Sequence, residues 1–103
     1  MGLRWRRHLG RLGARGELAR HAAARLNAGE ATYRNRNLQR PATALLDEAL
    51  EEAADLAGWL ALLDRTHPLE GGALTLARKA TRHAQHAHTA LTTLKQRLKE
   101  REQ

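Results

Sequence analysis

The sequence predicts an all-α protein, a three-helix chain over about 3–28, 41–64 and 72–101 forming a helical bundle that dimerisation completes. Three observations lead there. Apolar residues make up 42% of the chain, yet it has no Phe, one Tyr and two Trp, so packing rests on leucine and alanine, which favour helix. The β-branched and aromatic residues that favour strands are scarce. Apolar positions recur at alternating spacings of three and four, the period of one helical face, and Pro41, Pro68 and Gly71-Gly72 stand where such stretches begin and end. At 103 residues the chain is expected to be one domain, with any deep pocket shared between subunits.

Trp5, Leu9, Leu12, Gly16, Ala19, Ala23 and Leu26 form the stripe of the first predicted helix. Gly10, Gly13 and Gly16 interrupt it, each at about 1 kcal/mol relative to Ala. Residues 1–15 are therefore expected as a basic arm that frays or bends away, with Glu17 to Leu26 the firm part and Gly29 the stop. Glu30 to Arg40 carries no stripe and reads as a connecting loop. Pro41 suits the first turn of a second helix, where its missing N–H is no loss. The buried stripe there is predicted to be Leu46, Ala49, Leu50, Ala53, Ala57 and Leu60, and Thr66-His67-Pro68 ends the helix. Beyond Gly72, Ala77, Ala80, Ala84, Ala87, Leu91, Leu94 and Leu98 form a heptad stripe. No partner for all of it is evident within the chain, so a homodimer is expected in which the second and third helices pack across a twofold axis.

The composition excludes several chemistries. Without cysteine there are no disulfides, thiolate metal sites or cysteine nucleophile, and without serine no Ser/His/Asp arrangement. No apolar run approaches the roughly 20 residues that cross a bilayer, so a soluble, cytoplasmic protein is expected. The net charge of +7 hides a segregation. Residues 1–40 hold ten Arg against Glu17 and Glu30, a balance of +8. Residues 41–64 hold six acids and no Lys or Arg, and residues 71–103 hold seven bases against Glu100 and Glu102, a balance of +5.

Within the acidic segment, Glu48, Glu51, Glu52 and Asp55 share an arc of about 100° on a helix, and Trp59 continues it. Carboxylates at these spacings repel by about 0.2–0.5 kcal/mol per pair, so a compensating group is expected. Two candidates arise: the arginine-rich segments, which would make this a solvated face bridged by guanidinium groups, or a hard divalent cation, which prefers oxygen ligands.

The run Glu48-Ala-Leu-Glu51-Glu52-Ala-Ala-Asp55-Leu-Ala-Gly-Trp59 resembles the metal-binding helix of the MazG-like, all-α nucleoside triphosphate pyrophosphatases, whose pattern is E-x-x-E-E-x-x-D before an apolar or aromatic stretch. The upstream Tyr33-Arg34-Asn35-Arg36-Asn37-Leu38-Gln39-Arg40-Pro41 is similar to the lead-in of small members. The resemblance covers about Glu30 to Leu63. It implies that Glu48, Glu51, Glu52 and Asp55 ligate Mg²⁺, with Mn²⁺ as a substitute, or orient metal-bound water. It further implies hydrolysis of a nucleoside triphosphate to the monophosphate and pyrophosphate. Arg34, Arg36 and Arg40 could clamp phosphate oxygens, and Tyr33 or Trp59 could stack on a base. Full-length relatives place further carboxylates on a neighbouring helix. Here the preceding segment offers only Glu17 and Glu30, and nothing acidic lies between Glu70 and Glu100. Either a second subunit completes the site or the fold outlived the chemistry.

The alternative from another class is a non-enzymatic basic helical dimer binding nucleic acid, or an acidic protein partner, through the N-terminal arm. Trp5 would be available there to stack on a base. His83 and His86, spaced i, i+3, are read as flanking or interfacial rather than metal-ligating.

Overall fold

In a computed structural model, which describes residues 2–33 and 36–102, the regular elements are helical, with no strand among the described residues. Side chains are described for 5–31 and 36–101. Four α-helices stand where three were expected: α1 (Gly2–Arg11), α2 (Gly16–Tyr33), α3 (Ala42–Thr66) and α4 (Gly71–Glu102), with a short 3-10 helix over Arg36–Gln39. The chain divides into two compact units, Met1–Arg40 and Pro41–Gln103.

The extra helix arises where the glycines interrupt the first stripe. Gly13 has φ 99° and Gly16 φ 57°, the left-handed region that L-residues other than glycine resist. They turn the chain between α1 and α2, which pack on each other. Leu12 is left 85% exposed at the corner, while Ala23 is buried. The stripe read as one face thus belongs to two helices. Gly29 does not stop α2, which runs on to Tyr33. A C-terminal glycine stop requires the left-handed conformation, and Gly29 is not among the positive-φ glycines.

Pro41 (φ −59°, ψ 150°) caps α3 without a side-chain bond. Its carbonyl accepts from Ala44 N at 3.1 Å and Leu45 N at 3.2 Å. At the other end His67 N donates to Leu63 O at 2.8 Å, Thr66 Oγ1 donates to Leu62 O at 2.8 Å, and Asp64 Oδ1 accepts from Leu69 N at 2.9 Å. Pro68 cannot continue the helix, and Gly71, with φ 54°, opens α4. α3 and α4 form an antiparallel hairpin joined by this short connection.

The predicted α3 stripe is the hairpin seam: Leu46 is buried, and Ala49, Leu50, Ala53, Ala57 and Leu60 are half-buried. On α4 the seam differs from the predicted stripe. Ala84 is buried and Ala77, Ala80, Leu91 and Leu98 are half-buried as expected, but Ala87 is exposed and Leu94 is 43% exposed. The other half of the repeat is supplied by Leu74, Thr81, His88 and Lys95. Leu74 and Lys95 are half-buried, and Thr81 and His88, both exposed, line the open edge of the groove against Ala53 and Ala57. Both series keep three-four spacing through the same Ala77–Leu98 positions, so the apolar pattern alone leaves the seam free to rotate toward either flank. Among the described residues no helix is long and apolar enough to cross a membrane.

Candidate functional site

The seam of α3 fixes where its acids go. At about 100° per residue, Glu48, Glu51, Glu52 and Asp55 fall on the side of the helix away from Leu46, Ala53 and Ala57. All four are exposed. Trp59, one turn beyond Asp55, is 69% exposed on the same side. The structure therefore brings the five predicted α3 residues onto one open strip, as their spacing implied.

Within the hairpin, the described ion pair is Lys95 Nζ with Asp47 Oδ1, which ties the base of α3 to α4 beside the strip. Glu51, Glu52 and Asp55 make no ion pair among the described residues of the hairpin. Within the hairpin, then, these three are not bridged by the basic groups of α4. Nor do they converge: among the described residues no three His, Asp or Glu side chains form a group that could hold a metal ion. Helical neighbours at i, i+3 and i+4 stand about 5–6 Å apart at Cβ, in a row. A closed cage for a cation does not fit this strip. A row does match the habit of Mg²⁺, which keeps several waters and takes one or two carboxylates together with the phosphates of its substrate.

The remaining predicted residues lie in the N-terminal unit. Arg36 is exposed on the 3-10 helix, and Arg40 is half-buried just after it. Arg40 Nη1 donates to Asn37 Oδ1 at 3.4 Å, a contact that orients its guanidinium locally. Arg34 and the Tyr33 side chain lie outside the described residues. On α1, Arg6, Arg7 and Arg11 are exposed while Trp5 and Leu9 are half-buried, so the expected basic arm is a helix with its charges outward. His83 and His86 are exposed on α4.

A feature that the sequence reading missed is the groove at the closed end of the hairpin, lined by Leu60, Leu69, Leu74 and Ala77 with Asp64 and Arg78 at its rim. Its signal was the Leu69 and Leu74 pair across the Gly71 turn, which lies outside both predicted stripes. Compared with protein-family models, with curated proteins and with solved structures, the chain matches none.

Proposed function

We propose that this chain is a MazG-like helical protein that binds a nucleoside triphosphate as its Mg²⁺ complex along the outer strip of α3. The reaction implied is hydrolysis to the nucleoside monophosphate and pyrophosphate. The observation that carries the reading is the strip itself: Glu51, Glu52 and Asp55 are exposed and make no ion pair among the described residues of the hairpin, in line with Trp59 at 69% exposure. Three mutually repelling carboxylates held on a rigid helix favour an incoming cation. Glu52 and Asp55, at i and i+3, offer single oxygen contacts to a hydrated ion, and the Trp59 ring offers a stacking surface one turn away. When bound, the metal would neutralise phosphate charge and acidify water. The chain's own part is to hold the complex on a fixed row and present it to solvent or to a second subunit.

A screen of ribo- and deoxyribonucleoside triphosphates for Mg²⁺-dependent pyrophosphate release tests this, with calorimetric binding of the same nucleotides alongside. The expectation is turnover on at least one triphosphate, reduced at least tenfold in Glu52→Gln and in Asp55→Asn. Binding without turnover identifies the degenerate relative. Neither binding nor turnover, with Glu52→Gln indistinguishable from the parent, removes the nucleotide reading. The non-enzymatic reading then takes its place, supported by the outward arginines of α1: salt-sensitive contact with nucleic acid phosphates.

A further inference from the structure

The hairpin leaves a second apolar face uncovered. Ala54 of α3 and Gln85 of α4 line one side of the seam together. By the helical period, the opposite side carries Leu45, Leu56 and Leu63 of α3 and Leu76, Ala87 and Leu94 of α4. The leucines there are 44%, 45%, 42%, 68% and 43% exposed in the order Leu45, Leu56, Leu63, Leu76, Leu94. This is the half of the α4 heptad that the seam does not use. Scattered single leucines need no explanation, but a contiguous row on two adjacent helices marks an interaction surface. Two helices sharing one seam bury little: in the hairpin only Leu46 and Ala84 are buried among the described residues.

We infer that a second copy of this chain covers this face, with α3 of each hairpin lying on α4 of the other about a twofold axis parallel to the helices. Two considerations fix the occupant and its orientation. The first is area. Two separately compact bodies of the two units' sizes would expose together about 7,000 Å² by the mass scaling of folded monomers, whereas the chain exposes 8618 Å². The excess belongs to the chain as a whole, both units included, and exceeds the roughly 800 Å² per partner of a standard stable interface, so the chain carries surface enough for one, which the exposed leucine row then locates.

The second is charge. α3 carries Asp47, Glu48, Glu51, Glu52, Asp55 and Asp64 with no base before Arg65, while α4 carries Arg78, Lys79, Arg82, Lys95, Arg97 and Lys99 with no acid before Glu100. With α3 on the partner's α4, every acidic helix in the four-helix array has two basic neighbours. The other facing arrangement, α3 on α3 about an axis across the helices, sets one acidic row beside the other and one basic row beside the other. Fields of like sign across a shared face disfavour that packing. The proposal goes beyond the nucleotide reading and stands without it.

The test uses the full chain, which has no cysteine of its own. Sedimentation equilibrium should show a dimer. Leu56→Glu with Leu94→Glu should shift it to monomer while circular dichroism keeps its helical signal, because both side chains lie outside the seam. The Asp47–Lys95 pair sets Leu45 level with the turn bearing Leu94. A mixture of Leu45→Cys chains and Leu94→Cys chains, oxidised together, should therefore give a disulfide heterodimer, and neither variant alone should link to itself efficiently. A parent chain that is monomeric at its highest attainable concentration overturns the proposal. So does a dimer in which the mixture gives no heterodimer, since about an axis across the helices α3 lies antiparallel on α3 and Leu45 and Leu94, both near one end of the hairpin, face the far end of the partner, and so does a dimer that survives Leu56→Glu with Leu94→Glu.

Discussion

The two units are built from similar residues and differ in how their glycines act. In the hairpin, 25 residues of α3 and 32 of α4 run without a break, and Gly58 sits inside α3 with no positive φ. In the N-terminal unit, Gly13 and Gly16 take left-handed conformations and fold a continuous apolar stripe back on itself. Glycine only permits such a turn; what decides is whether the flanking stripe has somewhere better to go. Residues 42–66 find a full-length partner in α4, whereas residues 2–26 have only each other. The hairpin is therefore held by a long seam, and the N-terminal unit by a corner.

The largest effect should come from loosening the seam. Leu46 is 9% exposed, and Leu46→Ala removes its packing on α4 at a cost near the low end for buried leucines, about 2 kcal/mol. Amide hydrogen exchange should show protection falling across α3 and α4 while the slowest amides of α2 keep theirs. Equal loss in both units would mean that the two unfold as one cooperative body, and the contrast between seam and corner would fail.

Breaking the corner comes next. Gly13→Ala puts a Cβ where nothing lies within 4 Å, so the penalty is conformational and not steric contact with a neighbour. A left-handed backbone at a residue with a side chain costs about 1–2 kcal/mol. The exchange of α1 amides should rise several-fold with the hairpin unchanged. An unchanged α1 would show that the turn does not depend on glycine at this position.

How legible was this in the sequence? The α3 seam could be read residue by residue, because its apolar positions have one plausible helical face and its acids occupy the opposite one. The acidic strip followed from the same arithmetic, since fixing Leu46 and Ala53 inward fixes Glu52 and Asp55 outward. The α4 seam was only half legible. Alanine is so frequent there that two faces are apolar, and the choice between Ala87–Leu94 and Leu74–Lys95 as the flank of the seam depends on tertiary packing, including the pairing of Lys95 with Asp47. The first helix was misread because a three-four stripe carries no record of backbone sign; only the spacing of Gly10, Gly13 and Gly16 hinted at a turn. Arg36 stands on a 3-10 turn, with Arg40 just after it, where a loop is predicted, as short 3-10 segments have no periodic signature.

That Lys95–Asp47 pair is the finest point on which the comparison can be sharpened. Lys95 is 26% and Asp47 53% exposed, so water screens the attraction and each side chain gives up rotamer freedom to make it; exposed pairs of this kind contribute about 0.2–1 kcal/mol. Lysine at a seam position also lays its methylene stem along apolar surface, which separates two contributions experimentally. Asp47→Asn removes the charge partner alone, whereas Lys95→Met keeps the stem and removes the ammonium. A double-mutant cycle on thermal unfolding should give a coupling within that range, falling as salt is raised, with Lys95→Met close to neutral overall. A coupling well above that range, or one indifferent to salt, would place the pair in a drier setting than the exposed edge of an open hairpin, and would mean that the edge is covered in solution.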